Sequence, residues 1–349
     1  MSVGKFTIIA FGILLIAGLA ILGCQGDQGP QGPVGLTGPQ GDSGGNRTVI
    51  PPSDRSFGIM VANATDSDLK GAQLVPINFD SVTVSGSGVA ALQLATPPIL
   101  DGVDDGTAEW GTAPAAAVAL SVIQGADNGI AQANVRAGYD AQYFYMLVSW
   151  TETEAGDFVP AADRTKDEWT YSSSTETWAQ AGGEDRLYVV WDLNGVSSWS
   201  TEGLGAVFSD GSFATPSSGQ AADLWVFEST ETGFVPYLAD MVVRSEAEGG
   251  AMLDFGRGFV TENVSGSLPK YMRSNSAISG SAYPLWDFEI ASFDDSLEWV
   301  DGAVIPGYVY FTPSLSAADV EAAMTFSNGT WTVELRRLRD TGNADDVKF

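Results

Sequence analysis

The side chains able to do chemistry are few in kind. The 349 residues hold no His and one Cys, against 44 Asp plus Glu, 16 Lys plus Arg and seven Met. Without imidazole there is no Ser-His-Asp or Cys-His machinery and no bis-His haem. One Cys rules out an internal disulfide, a Cys-ligated zinc or iron–sulfur centre and the two-Cys attachment of haem c. Carboxylate, amine, thioether and aromatic chemistry remain. Asp101, Asp104 and Asp105, the pair Asp294-Asp295 and the pair Asp345-Asp346 offer hard oxygens to calcium. None has EF-hand spacing, and the simpler reading of each is a solvated acidic turn. Asp101, before Gly102, should organise its own turn through its side chain. No motif singles out a carboxylate pair for glycoside hydrolysis. Trp169, Tyr171, Trp178 and Trp199 sit in polar stretches that read as loops; their faces would either stack on sugar rings or lid the end of the domain. Arg336, Arg337 and Arg339 close a strand and should pair with nearby acids. A net charge of −28 with no basic patch excludes nucleic acid as a natural partner.

The elements that carry these residues begin after a leader. Lys5 precedes the apolar run Phe6 to Leu22, so residues 1–23 read as an export signal. Ile21-Leu22-Gly23-Cys24 resembles the lipobox of bacterial lipoproteins, which implies lipidation of Cys24, export and a membrane tether. The alternative is an uncleaved single-pass anchor. Gln25 rather than Asp after the Cys points to the outer membrane or cell surface. Residues 24–45 then carry Gly at 26, 29, 32, 35, 38, 41 and 44, with Pro at 30, 33 and 39. That is the collagen period, since only Gly fits the axis of a triple helix. It predicts either a solvated stalk or a collar that makes a homotrimer. Residues 46–87 read as linker and leading strands.

From about Phe57 short apolar or alternating runs are separated by Gly, Pro, Asn, Asp and Ser, so the fold class is all-β. At 44% hydrophobic and 17% charged, the chain can build a large core. Strands are expected at 89–95, 134–139, 143–150, 186–192, 223–228, 241–244, 303–311 and 330–337. Tyr143 to Trp150 is apolar on both faces and should be central. Trp331 to Arg336 alternates as a strand with one wet face does. Ser316 to Met324 reads as a short helix or turn with Ser316 as N-cap. So many short strands suggest a β-sandwich with long loops over residues 88–349.

Several segments carry a family resemblance. Leu100-Asp101-Gly102 followed by Glu109-Trp110, and Val135 to Tyr139 followed by Tyr143 to Trp150, are similar to carbohydrate-binding-module-9-like sandwiches. Glu184 to Leu187, Ala222-Asp223-Leu224-Trp225, Gly302 to Gly307, Ala317 to Val320, Asn328 to Glu334 and Asp345 to Val347 narrow the likeness. They resemble the haem-binding domain of the ethylbenzene dehydrogenase gamma subunit and its cytochrome relatives. The resemblance implies haem b, electron transfer to a redox partner protein, and one axial ligand in the loop before Asp223-Leu224-Trp225. That loop, 203–221, holds no Met, Cys, His or Lys. Other thioethers and amines after Cys24 are Met60, Met146, Met241, Met252, Met272 and Met324, and Lys70, Lys166, Lys270 and Lys348. Lys270 and Met272 are the candidate haem ligands, because a Met/Lys pair is the type the family uses. Residues two apart on a strand share a face, so at most one of them can serve. Otherwise Met272 packs in a core and Lys270 is solvated; Met146 should be core. The function so implied is a membrane-anchored, extracytoplasmic electron-transfer lipoprotein. The alternative is a haem-free module for a glycan or a partner protein on the same sandwich. Catalysis of its own has no residue-level support.

Overall fold

Val, Ile, aromatic and alternating residues form strands here because a branched or flat side chain packs well on a pleated surface. The computed structural model describes residues 55–62, 68–81, 88–151, 168–181, 184–193, 195–281 and 283–349. The export signal, Cys24 and the Gly-X-Y run lie outside the described residues. Numbered in chain order, thirteen strands make one mixed sheet. Along it run β15 (Ala251–Leu253), β14 (Ala239–Val243), β13 (Ala222–Glu228), β10 (Arg186–Asp192), β1 (Arg55–Ala62), β2 (Leu69–Phe79), β3 (Val89–Gln93), β6 (Gln132–Tyr139), β7 (Tyr143–Thr151), β24 (Thr330–Leu338) and β23 (Glu321–Ser327). Beside them β4 (Ala116–Ala119) pairs β6 and β5 (Ser121–Gln124) pairs β2. Among the described residues, only β2–β3 and β3–β6 are parallel pairs in this sheet.

The sheet is curled. Phe227 on β13 and Trp331 on β24 have ring centroids 5.0 Å apart. Seven strand-to-strand steps separate them along the sheet, roughly 34 Å if it were flat. The two ends are stitched together: Leu238 N donates to Val320 O and Ala322 N to Pro236 O, both at 3.0 Å. The expected sandwich is therefore one sheet whose halves face each other. Its concave side holds the main core, including Phe57, Trp150, Trp191, Trp225 and Met146. The convex side of β1, β10 and β13 is covered by α2 (Trp199–Glu202), Leu204 and Phe208. The helix α1 (Thr107–Trp110) buries Trp110 against Tyr145 and Leu147 on the other flank.

Smaller pairs complete the fold: β11 (Phe208–Ser209) with β12 (Ser212–Phe213), β16 (Gly256–Arg257) with β22 (Ser314–Leu315), β17 (Val260–Glu262) with β21 (Tyr308–Tyr310), and β18 (Tyr271–Arg273) with β19 (Ile290–Ser292). Strands β8 (Glu168–Ser172), β9 (Thr177–Ala181) and β20 (Val304–Pro306) form a separate small sheet. Here two expectations are corrected. Trp169 and Trp178 are not loop platforms: they lie on β8 and β9, buried with Trp299. Trp199 is also buried, its Nε1 donating to Ser56 Oγ. Of the helix or turn expected at Ser316 to Met324, only a turn forms: Ser316–Ala318 is one 3-10 turn with Leu315, not Ser316, at its N-cap, and residues from Glu321 pair with β24 along all of β23. A partner strand overrides the weak local preference for helix. Strands 143–150 and 186–192 stand where the pattern put them, and 303–311 is broken between β20 and β21 at Gly307.

The Asp101 turn forms as expected, with Val103 N donating to Asp101 Oδ1 at 2.9 Å. Gly102 takes φ +76, and a Cβ there would stand 2.7 Å from the carbonyl carbon of Met324. The close approach lets Asp101 N and Gly102 N donate to Glu334 Oε2 at 3.1 and 3.0 Å. Glu334 should be on the wet face of β24; the turn covers it, and it is fully buried.

Candidate functional site

Alternation on β13 and β14 sends neighbouring side chains to opposite faces. Outward go Leu224, Val226 and Met241; inward go Asp223, Trp225 and Asp240. Each face has its own candidate chemistry.

The outward face floors a cavity of about 530 Å³. Tyr188 of β10, Leu224 of β13 and Met241 of β14 line it from the sheet, and Phe208 and Phe213 of the β11–β12 hairpin from above. Phe208 and Phe213 pack at 4.8 Å, which makes that wall from the loop where the resemblance places a ligand. The volume is in the range of small-molecule and cofactor sites, and the walls are mainly apolar. One end is charged. Arg186 pairs with Glu228 at 2.8 Å and approaches Glu184 at 3.6 Å, with Glu231 beside them. Burial, and then the charge of Glu184, raises the Glu231 carboxyl above its ordinary range.

The inward face carries a buried ionic cluster. Arg337 of β24 donates to Asp223 Oδ2 at 2.6 Å and stands 3.7 Å from Asp240 and 3.8 Å from Asp346, all four side chains fully enclosed. Asp223 Oδ2 also accepts from Val347 N at 2.7 Å. Burial alone would depress the Arg337 guanidinium, but Asp223, Asp240 and Asp346 outweigh it and raise it. Burial raises Asp223 and, with Asp223 added, raises Asp240 further. Asp254, after β15, is pushed to about 8 by burial and then by Asp345 and Asp346. Asp319 reaches about 6, by burial and then Asp346.

The residues singled out in the sequence are spread across the molecule. Met272 is half-buried against the cluster of Trp169, Trp178 and Trp299. Lys270 is exposed, its Nζ 5.1 Å from the Tyr271 ring centroid. Neither is among the residues lining the cavity. Met146 is core. Arg336 pairs with Glu321 at 2.7 Å and Arg337 with Asp223, while Arg339 donates to the carbonyls of Phe349 and Asp140. Asp104 and Asp294 close solvated turns onto Gly106 and Ser296. Asp345-Asp346 differs: Asp346 is enclosed. Sequence reading passed over Met241, Asp223, Asp240, Asp254 and Glu334 as site residues. The available signal was an acid in phase with Trp225 in a strand otherwise apolar on both faces.

No curated protein matches the chain. Residues 108–349, from α1 through β24 to the C-terminus, match the family described as ethylbenzene dehydrogenase. The match takes in both faces of β13–β14, the cavity hairpin and Arg337, and it covers most of the chain: this protein belongs to the ethylbenzene dehydrogenase family.

Proposed function

We propose that the cavity on the outer face of β13–β14 takes haem b, and that the protein is an exported, lipid-anchored electron-transfer module. The observation that carries this is Met241, whose thioether lies in the wall of an apolar cavity beside the loop where the resemblance expects an axial ligand. The donor set fits in this respect: Tyr188, Phe208, Phe213 and Leu224 suit the flat apolar faces of a porphyrin, and a Met sulfur is a haem ligand. When bound, the haem would supply one-electron chemistry. The chain's own residues enclose it, exclude water from its faces and offer Met241 as one ligand. Arg186 is neutralised by Glu228, so that end of the cavity does not attract propionates. Cys24 would hold the domain to the membrane surface, with the collagen-like run as stalk or trimer collar, and a redox partner protein would receive the electron.

The test is a visible spectrum of the purified full chain, oxidised and then reduced, with haem counted as pyridine haemochrome. One b-type haem per chain, with bands altered in Met241→Ala, is the expected result. A protein that stays colourless on haemin titration overturns it and leaves the haem-free binding module.

A further inference from the structure

We propose that Asp254, Asp345 and Asp346, with Asp240 behind them, form a calcium site that clamps the C-terminal segment to β14 and β15. One carboxylate oxygen from each of the first three lies within 4.8 Å of the others. That is the span of two oxygens on opposite sides of a calcium ion at about 2.4 Å each. An all-oxygen, carboxylate-rich donor set selects a hard cation, and calcium tolerates this spacing better than magnesium, which demands a tighter octahedron.

A cluster of acids alone would not require an ion. Here the carboxylates are both enclosed and unsatisfied. Asp240 is fully buried and Asp254 is 3% exposed, yet no carboxylate oxygen of either accepts a hydrogen bond. Asp346 Oδ1 is likewise without a donor, while its Oδ2 takes Thr341 and Asn343. Arg337 commits its shortest bond to Asp223 and stands well back from Asp240 and Asp346. Arg337 thus has three acids within 4 Å, Asp223, Asp240 and Asp346, and Asp254 and Asp345 stand outside its ion pairs. Enclosed carboxylates without donors must either keep a proton or meet a cation, and a divalent ion here would meet several at once.

One member of the site reaches open space: Asp345 is half-buried and lines a second cavity, of about 510 Å³, with Val242, Arg244 and Ala344. The segment it would fix closes one end of the core. Val347 N and O bond to Asp223 and Arg337, and Phe349 stacks on Phe144 at 4.1 Å.

The experiment uses the full chain stripped with EDTA and titrated by calorimetry with calcium chloride, then with magnesium chloride. About one high-affinity calcium per chain is expected, with weaker magnesium binding and a melting temperature that rises in calcium. Asp345→Asn should fold, because its side chain is only half-buried, and should lose about tenfold or more in calcium affinity. Asp254→Asn should abolish the calcium-dependent rise in melting temperature. The idea is overturned if the stripped protein takes up no calcium and melts alike in calcium and EDTA. It is equally overturned if binding persists unchanged in both variants, which would place the ion on the acidic surface. Should Asp254→Asn not fold, the calorimetry of Asp345→Asn decides alone.

Discussion

The two faces of β13–β14 are built from residues one position apart, and they hold opposite solutions to burial. Outward, Leu224, Val226 and Met241 leave an apolar space closed by the β11–β12 hairpin together with Leu253, Phe259 and Val260. Inward, Asp223 and Asp240 are packed beside Trp225, and Arg337 from the opposite half of the sheet bonds Asp223 while standing 3.7 Å from Asp240. The outer face is locally made: its walls come mostly from residues 186–260. The inner one joins positions 223, 240, 254, 337 and 346, and exists only once the sheet has curled. A local apolar wall tolerates substitution and can admit a ligand. An enclosed ionic cluster is all or nothing, because each member removed strands another.

The largest expected effect breaks the inner face. Arg337→Met keeps apolar bulk under Trp225 but leaves Asp223 and its neighbours without their guanidinium. Loss of one partner of a buried pair costs about 3–5 kcal/mol, read by denaturant unfolding. Adding Asp223→Asn should recover part of that loss. If Arg337→Met alone unfolds no more easily than the parent protein, the cluster is not holding charge at all.

A second comparison lies within β24, where Glu334 faces outward and Arg337 inward. Glu334 is also fully buried, and it has two backbone donors but no cation. Burial pushes it to about 7, against the 4.5 of an ordinary Glu, despite the lowering by those donors. Between these values the folded chain keeps a proton that the unfolded chain has released, so stability falls as pH rises. The contribution is intact below about pH 4.5 and lost above about pH 7, to the extent of about 3 kcal/mol. Glu334→Gln can still accept from Asp101 and Gly102, and removes the titration. Its unfolding free energy should match the parent protein at pH 4 and exceed it at pH 8. Parallel pH profiles for the two would remove Glu334 as a source of the decline.

These two residues also show what could be read in the sequence. The strands were legible wherever period-two alternation or a double-sided apolar run was long, as at 143–150 and 186–192. The turn at Asp101 was legible because Asx chemistry is local. Glu334 was misplaced because the cover over its face comes from residues 101–102, more than two hundred positions away. Trp169 and Trp178 were misplaced because their polar neighbours look like loop, while the burying partners, Trp299 and Ile305, arrive from far along the chain. The resemblance drew attention to the loop at 203–221, which supplies one cavity wall, but not to Met241, whose direction depends on the phase of β14. Asp345-Asp346 was visible as an acidic pair; its enclosure by β14 and β15 was not.

A smaller effect sharpens the outer face. Met241 is half-buried at a cavity wall, so Met241→Ala should cost only about 1 kcal/mol of stability, less than an enclosed Met would. Its signature should be spectroscopic, in the haem bands, with the unfolding midpoint close to that of the parent protein. A large loss of stability with unchanged bands would make Met241 a packing residue.

The smallest effects belong to Lys270 and Met272, and they place the haem. Lys270 is exposed, and its removal should change stability by no more than about 0.5 kcal/mol. Met272 packs with Trp169, Trp178 and Trp299, in a cluster separate from the β13–β14 cavity wall. If Met241 is the ligand, Lys270→Ala and Met272→Ala leave the reduced haem bands where they are. Should Met272→Ala shift those bands while Met241→Ala does not, the haem belongs beside the β18–β19 pair, and the outer face of β13–β14 is left as an apolar cavity for some other ligand. The pair of spectra therefore separates two regions that stability measurements alone would not distinguish.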